Sequence, residues 1–200
     1  MNKARQSARR AYDEPMMMTA SGGTVVREAT VADAPAISAI GTVAFPAVHN
    51  AIAGEAFSQA VVEQTYSIGA LTECISRCAG SDDAVFLVAE RDGAVVGYLH
   101  YDCVGPEPEL HRIYVDPEQK RGGVGSTLMR EFHAWLDPGS TYVLLVAEEN
   151  RDAQAFYARH GLVVEGQVDG NQHYGDAMSI ELDEAPPEAC GLLLRFTKNP

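Results

Sequence analysis

The sequence predicts an α/β domain of about seven strands and about four helices. Residues 84–90 and 94–101 are β-branched and aromatic runs on either side of an Asp-Gly turn, which is typical of a β-hairpin. Residues 110–136 pass from a similar run through a glycine-rich turn into a helical pattern. The almost wholly apolar run at 141–147 is typical of a strand buried on both faces. These patterns indicate a sheet with helices packed on it.

The first half of the chain adds one strand and a helical region. Residues 24–28 are predicted as the first strand, and Thr30 with Asp33 resembles a capping box that opens a helix through Ile40. We expect a break at Phe45-Pro46. Residues 55–79 keep helical spacing, as one long helix or two short ones.

The second half is predicted to complete the sheet. A helix over 124–136 should end at Asp137-Pro138-Gly139, and Asn150 should cap a short helix that ends at Gly161. Strands over 162–168 and 177–182 are expected to close the sheet as an antiparallel pair. Residues 191–196 form either an added strand or a loose tail.

Length and composition fit one domain with loose ends. The chain has 200 residues, enough to bury a core without disulfides or metals. Residues 1–22 show neither helical nor strand periodicity and are predicted to be a disordered leader, with Met16 to Met18 as another candidate start of translation. Residues 23–183 are assigned to the domain, and 184–200 to a C-terminal tail that includes the candidate added strand.

Charge and apolar patterning restrict the partners. The 15 Lys and Arg residues against 28 Asp and Glu residues give a net charge of −13, which repels nucleic acid and attracts a cation such as an amine. Neither a secretory signal nor a run of about 18 apolar residues is found. We therefore expect a cytoplasmic protein without nucleic-acid or membrane partners, and a homodimer stays open.

The four cysteines include no Cys-x-x-Cys pair, which fits a reducing compartment. Cys74 and Cys78 lie one helical turn apart, but no further histidine or cysteine pair in the sequence completes a tetrahedral metal set. We therefore predict helix packing for these two side chains and no metal site.

The glycine-rich stretch at 114–128 carries the clearest functional signal. Gly122, Gly123 and Gly125 let a ligand approach the backbone closely. The first turn of the following helix presents unpaired N–H groups with a partial positive charge, which suits phosphate. Because similar turns occur in several nucleotide-binding families, this stretch alone predicts an anion site and not a particular nucleotide.

Two motifs together resemble the GCN5-related N-acetyltransferase (GNAT) family over residues of about 24–183. Lys120-Arg-Gly-Gly-Val-Gly125 is similar to the family's Gln/Arg-x-x-Gly-x-Gly/Ala, with Lys where Gln or Arg is usual. Asn150-Arg-Asp-Ala-Gln-Ala-Phe-Tyr-Ala-Arg-His-Gly-Leu162 is similar to Asn-x-x-Ala-x-x-Phe-Tyr-x-x-x-Gly-Phe, with Leu at the last position. The resemblance implies a twisted, mixed and mostly antiparallel sheet, in which the parallel strands 110–115 and 141–147 splay apart at the cofactor.

The resemblance also implies acetyl-CoA as the acetyl donor. Its pantetheine arm would run between the two parallel strands, and the glycine-rich turn would hold its pyrophosphate. The cofactor-binding residues carried over from the family are Ile113, Tyr114, Val115, Lys120, Arg121, Gly122, Gly123, Val124, Gly125, Ser126, Asn150 and Tyr157.

The implied reaction needs a base and an acid. An alkyl amine with a pKa of about 10 is mostly protonated at neutral pH, so a base must free its lone pair. Glu109 is the preferred base, because histone-acetylating members carry a glutamate at this spacing, and His111 on the same face by strand alternation is the second candidate. The alternative for Glu109 is a solvated acid at the end of a strand, and the alternative for His111 is a partly buried histidine of the strand.

By the same resemblance, Tyr157 would protonate the leaving thiolate, whereas helical spacing alone would make it a core aromatic. A backbone N–H of the 110–115 strand, with Ile113 as the best candidate, would stabilise the oxyanion.

The leading hypothesis is an acetyl-CoA-dependent N-acetyltransferase that acts on a small-molecule primary amine or a protein amino group, by direct attack in a ternary complex. The small molecule would be a polyamine, an amino acid or an aminoglycoside-like compound. The alternative is a non-catalytic acyl-CoA-binding regulatory module of the same fold. The glycines lack the Gly-x-Gly-x-x-Gly spacing of a dinucleotide-binding oxidoreductase. The residues that could line an acidic entrance for the amine are Glu55, Glu63, Glu73, Glu107 and Asp169.

Overall fold

The computed structural model describes residues 23–169 and 190–197, which form one mixed sheet with helices on both faces. The strand order is β1-β2-β3-β4-β5-β7-β6. The strands are β1 Thr24–Glu28, β2 Ala84–Arg91, β3 Ala94–Asp102, β4 Glu109–Val115, β5 Thr141–Ala147, β6 Val163–Asp169 and β7 Cys190–Thr197. Neighbouring strands are antiparallel except β4 and β5, which are parallel. The predicted α/β fold with a mostly antiparallel sheet is confirmed.

Helices cover the sheet on both sides. Within the described residues they are α1 Ala34–Ala53, α2 Glu55–Thr65, α3 Ile68–Cys78, α4 Val124–Trp135 and α5 Arg151–Arg159, with 3-10 turns at Val31–Asp33 and Pro117–Gln119. Helices α1 to α3 share a core with Phe86 and Tyr98 of the sheet, whereas α4 and α5 pack with Leu87 and Leu99 on the other face. The functional cleft lies between these two layers.

The predicted break at Phe45-Pro46 is wrong, because α1 continues through Pro46 to Ala53. Proline removes one backbone donor, but its fixed φ angle is compatible with a helix. The neighbouring Phe45 is buried and packs against the rings of Phe57 and Tyr66, with centroids 6.4 Å and 5.8 Å away. Tertiary packing therefore outweighs the local cost of the proline.

Residues 55–79 form two short helices, α2 and α3, and not the single long helix that the sequence also allowed. Ser67 begins the second helix, since its Oγ accepts a hydrogen bond from the Ala70 N–H at 3.3 Å.

By its length and its apolar composition alone, the segment Val31–Ala53 could cross a membrane. In this fold Ile37, Ile40 and Phe45 of that segment are buried in the protein core. Part of its apolar surface is thus used in the domain core, whereas Val31 and Val43 are 51% and 58% exposed.

The strand expected over 177–182 and the leader expected over 1–22 lie outside the described residues. The alternative of an added strand near the C-terminus is confirmed, because β7 occupies residues 190–197 and pairs antiparallel with both β5 and β6. This strand lies in the segment that the sequence set apart as a tail, and it completes the same sheet as the other strands.

The parallel strands β4 and β5 splay apart, as the sequence predicted. Their register pairs Glu109 with Val143, and the Val143 N–H donates to the Pro108 carbonyl at 2.9 Å. Along the described lengths of the two strands no further register pair joins them. The strands therefore separate toward their carboxyl ends, where the glycine-rich turn and α5 begin.

A β-bulge in β4 changes which side chains face each layer. Arg112 pairs with His100 and Leu110 pairs with Tyr101, which leaves His111 as the extra residue. Leu110 and Ile113 consequently share the core on the α4 side. His111 and Arg112 both face the α1–α3 side, where they meet His100 and the Tyr66 ring respectively. Simple alternation along the sequence cannot give this arrangement.

Candidate active site

A cleft of about 2060 Å³ opens where β4 and β5 separate. Residues of the two strands, the turn at 119–126 and helix α5 form one part of its wall, and residues of α1 and α3 form another. The cleft therefore passes between the strands and joins the two faces of the sheet.

Arg91 of β2 holds the glycine-rich turn in place. Its Nη2 donates to the Gly122 carbonyl at 2.9 Å and its Nη1 donates to Gln119 Oε1 at 3.1 Å. A Cβ at position 122 would lie 2.9 Å from Arg91 Nη1 and 3.2 Å from the Gln119 carbonyl oxygen, so a side chain here would displace the Arg91 guanidinium. Gly123 then begins α4 with a φ of 79°, and Arg121 also has a positive φ of 65°. The turn is thus shaped by packing as well as by its own backbone freedom.

The first turn of α4 faces the cleft with free backbone donors. Intrahelical bonding begins with the Thr127 N–H, which donates to the Gly123 carbonyl at 2.9 Å, so the preceding amides have no partner within the helix. A Cβ at Gly125 would lie 3.4 Å from the Phe156 ring. Glycine at this position therefore keeps the space between the ring and the first turn of α4 open. The exposed side chains of Lys120 and Arg121 line the same part of the cleft. These groups fit the pyrophosphate of a nucleotide cofactor.

The edge of β4 presents peptide groups to the cleft. The Asp116 N–H donates to Val96 of β3 at 2.9 Å. Because backbone groups alternate between the two edges of a strand, the peptides of Val115 and Ile113 point the other way, toward β5. Past the Glu109–Val143 pair the strands have separated, so these groups are placed to bind an extended ligand.

Tyr114, which the sequence also assigned to the cofactor, lies on the α1 side of β4. Its hydroxyl is 3.5 Å from His49 Nε2, and its ring meets Tyr66 edge-on at 6.3 Å. It lines the α1 part of the cleft and not the β5 edge. Burial lowers the pKa of the neighbouring His49 to about 4.

Helix α5 contributes Asn150, Phe156 and Tyr157 to the opposite wall. Asn150 caps the helix, since its Oδ1 accepts from the Ala153 N–H at 3.2 Å. Tyr157 is half-buried, and its ring meets Phe156 edge-on at 5.4 Å. Ser126 is linked to this helix end through His160, with Oγ and Nε2 3.2 Å apart.

A group of acidic and imidazole side chains lies where β4 and β5 are joined. His111 Nε2 is 3.0 Å from Asp102 Oδ1, and His111 Nδ1 is 3.6 Å from Glu109 Oε1. The three side chains are 25%, 15% and 16% exposed, in the order His111, Asp102 and Glu109. Burial would raise the pKa of Asp102, but the hydrogen bond and charge of His111 lower it to about 2.

Asp102 is a site residue that sequence reasoning missed. It ends β3 directly opposite Glu109 in the register of the β3–β4 pair. A carboxylate directly after one predicted strand, followed by a second carboxylate directly before the next predicted strand, was the available signal.

The same group continues inward to His100 and Cys74. His100 Nε2 is 3.6 Å from Asp102 Oδ2 and 3.4 Å from Cys74 Sγ, and its ring stacks on His111 at 4.9 Å. Burial lowers the pKa of His100. The sequence offered no metal-ligating partner for Cys74 and Cys78, whereas the fold brings one from β3.

Arg112 lies deep in the α1–α3 wall. Its guanidinium carbon is 5.3 Å from the centre of the Tyr66 ring, and its Nη1 is buried with no hydrogen-bond partner among the described residues. The sequence gave no reason to single it out.

Known acetyltransferases are similar to this chain in sequence. Residues 82–163, which include all of β2 to α5, match the model of the acetyltransferase (GNAT) domain. The chain is 24% identical over 148 residues to spermidine N(1)-acetyltransferase of Thermoplasma acidophilum, covering 73% of this chain and 91% of that protein.

Two solved structures are similar in fold. PaiA N-acetyltransferase of Thermoplasma acidophilum in complex with coenzyme A has a TM-score of 0.69 at 20% identity, covering 87% of this chain and 98% of that one. Ribosomal-protein-alanine N-acetyltransferase of Brucella melitensis has a TM-score of 0.64 at 24% identity, covering 86% and 99%. This chain thus carries a match to the GNAT acetyltransferase domain over residues 82–163, and it is similar in sequence and in fold to N-acetyltransferases, one of them in complex with coenzyme A.

Proposed function

We propose that this enzyme transfers the acetyl group of acetyl-CoA to a primary amine of a small polycation such as spermidine, by direct attack within a ternary complex. The observation that carries the proposal is the acidic group of Asp102 and Glu109 around His111, at the joined end of β4 and β5. A protein amino group is the second acceptor class, since one similar fold belongs to an enzyme named for ribosomal-protein alanine.

The donor occupies the splayed side of the cleft. Its pyrophosphate lies at the first turn of α4, where Gly123, Gly125 and Ser126 offer backbone donors beside Lys120 and Arg121. Its pantetheine arm follows the free edge of β4 and bonds the peptides of Ile113 and Val115. This path brings the thioester toward the bulge and the acidic group.

The acceptor enters from the α1–α3 face. Asp102 and Glu109 supply negative charge on that face, and the net charge of −13 adds a favourable field for a cation. The name of the Thermoplasma relative, spermidine N(1)-acetyltransferase, agrees with a polyamine. Glu107 lies on the cleft wall too, but it is paired with Arg195 at 2.7 Å and is less able to hold an amine.

Glu109 accepts the amine proton, directly or through one water. Both ring nitrogens of His111 face carboxylates, at 3.0 Å and 3.6 Å, so this ring is less suited to take the proton. His111 instead fixes the positions of Asp102 and Glu109. The freed nitrogen lone pair then attacks the thioester carbonyl.

The Ile113 N–H stabilises the oxyanion, and the Tyr157 hydroxyl protonates the sulfur as the carbon–sulfur bond breaks. One carbon–nitrogen bond forms as the carbon–sulfur bond breaks. The protonated amine loses two protons in all, of which one ends on the thiol and the other leaves to solvent through Glu109. The three described cysteines, Cys74, Cys78 and Cys103, are free thiols, which supports a reducing, cytoplasmic location as a further proposal.

An acceptor screen tests the proposal. Acetyl-CoA is incubated with the enzyme and spermidine, lysine, an aminoglycoside or a peptide with N-terminal alanine, while free thiol and product mass are recorded. We expect thiol release that requires spermidine and yields monoacetylated spermidine. Turnover confined to the peptide would select the protein acceptor, and thiol release that no amine accelerates would contradict both.

A further inference from the structure

Two cysteines and a histidine form a buried cluster beside the proposed acceptor end. Cys74 and Cys78 lie one turn apart on α3 and are each 6% exposed, and His100 of β3 is 4% exposed. Their ligand atoms all lie within 4.8 Å of one another. None of the three has a role in the proposed acetyl transfer.

The separations within the cluster suit a tetrahedral cation. With bonds of about 2.3 Å to sulfur and about 2.0 Å to nitrogen or oxygen, Zn²⁺ holds sulfur and nitrogen about 3.6 Å apart and nitrogen and oxygen about 3.3 Å apart. The Cys74 Sγ is 3.4 Å from His100 Nε2 and 3.9 Å from Nδ1. A cation would replace the hydrogen bond that now joins the thiol and the ring.

Asp102 lies beside the cluster, where its carboxylate forms a second group of close ligand atoms with His100 and His111, separate from the group of Cys74, Cys78 and His100. Its Oδ2 is 3.6 Å from His100 Nε2, while its Oδ1 remains 3.0 Å from His111 Nε2. A carboxylate that binds a cation through one oxygen and an imidazole through the other is a common arrangement around protein metal sites. His100 is thus shared between the thiols and the carboxylate.

We propose that Cys74, Cys78 and His100 form a binding site for a thiophilic divalent cation, with Zn²⁺ as its best-suited occupant, and that the Asp102 carboxylate turns toward the bound cation as its fourth ligand. Two sulfurs, one imidazole nitrogen and one carboxylate oxygen match the donor types of tetrahedral zinc sites.

The charge around the cluster agrees with such a ligand set. Two thiolates, one carboxylate and Zn²⁺ together have a net charge of −1. The buried Arg112 guanidinium carries a positive charge and has no ion pair among the described residues. A thiolate at Cys74 is the form that binds metal.

The cluster also has an access route, because Cys74, Cys78, His100 and Asp102 all line the cleft. A bound cation would fix Asp102, and through it His111, next to Glu109. The site is therefore placed to order the acceptor end, although binding of the cation does not depend on the proposed acceptor.

Metal content tests the proposal directly. The full chain, purified without chelator and then dialysed against Zn²⁺, should retain one Zn²⁺ per chain by elemental analysis. Substitution with Co²⁺ should give the absorption of a tetrahedral cobalt–thiolate centre. Retention of no Zn²⁺, or a Co²⁺ spectrum without a thiolate band, would overturn the site.

Three matched variants locate it. Cys74→Ser and Cys78→Ser should each weaken Zn²⁺ binding by about 100-fold or more, since losing even an outer-shell partner costs 10–100-fold. Cys103→Ser removes a thiol that lines the same cleft outside the cluster and should leave Zn²⁺ affinity unchanged. Binding of coenzyme A checks that each variant is folded. Equal Zn²⁺ affinity in Cys74→Ser and Cys103→Ser would refute the assignment.

Discussion

Glu109 pairs with Val143 at the point where the parallel strands β4 and β5 begin to separate. This pair closes one end of the cleft, while the glycine-rich turn and α4 bound the other. A ligand that lies along β4 with its phosphates at α4 therefore has its reactive end next to Glu109. One strand thus relates the cofactor to the proposed base.

Gly125→Val should block the donor site. The added side chain would meet the Phe156 ring, which is 3.4 Å from an ideal Cβ, and would cover the first-turn amides of α4. We expect the dissociation constant of coenzyme A to rise at least about tenfold, the effect of losing about 1.4 kcal/mol. Gly69→Val is the control, because a Cβ at Gly69 in α3 has nothing within 4 Å. Calorimetric titration of coenzyme A gives both constants, and equal values would contradict the phosphate assignment.

Tyr157→Phe should separate binding from turnover. The ring contact with Phe156 is kept and the hydroxyl is lost, so coenzyme A should bind with unchanged affinity. Removing a general acid should lower kcat by about 100-fold or more. The measurement is thiol release at saturating substrates. An unchanged kcat would show that another group protonates the sulfur.

Glu109→Gln should lower kcat by about 100-fold or more, because the amide cannot accept the amine proton. Glu131→Gln is a matched control, since the Glu131 side chain is also 16% exposed but lies on α4 outside the cleft lining. Initial rates with the best acceptor report the effect. If the two variants have the same kcat, the base must be another group.

Asp33→Asn should reduce stability in a pH-dependent way. Arg27 donates to both carboxylate oxygens of Asp33 at 2.8 Å, and the Thr30 N–H donates to Oδ2 at 2.7 Å. The hydrogen bond from Arg27, opposed by burial, lowers the pKa of Asp33. Because the pKa of Asp33 is lower in the folded protein than in the unfolded one, where it is about 3.9, the ionised carboxylate stabilises the fold at pH values above the unfolded-state pKa. This stabilisation is lost as the pH falls through the folded-state pKa.

Urea unfolding at pH 7 should therefore give a free energy of unfolding about 1–3 kcal/mol lower for Asp33→Asn than for the wild type. The difference should shrink at about pH 3, where the unfolded-state carboxyl is protonated. A difference that stays constant between the two pH values would show that the carboxylate charge contributes nothing.

Local signals in the sequence were sufficient for much of the fold. The Asp-Gly turn after Arg91, the glycines before α4 and the Asn150 cap each act within a few residues, and each lies where the sequence predicted. The resemblance to the family added the splay of β4 from β5, which depends on strands about 30 residues apart.

The features that could not be predicted from the sequence depend on contacts between residues far apart in the chain. Pro46 continues a helix because Phe45 is buried among the aromatic rings of Phe57 in α2, Tyr66 at the end of α2 and Tyr114 in β4. The bulge at His111 requires knowledge of the opposite strand. Cys74 and His100 are 26 residues apart and meet through the packing of α3 on β3, which no spacing motif records.

Two-substrate initial-rate kinetics test the central claim most directly. Acetyl-CoA is varied at several fixed concentrations of the acceptor found by the screen, and reciprocal rates are plotted against reciprocal acetyl-CoA. Direct attack in a ternary complex predicts lines that intersect. Parallel lines would indicate an acetylated enzyme intermediate and would contradict the mechanism built on Glu109 and Tyr157.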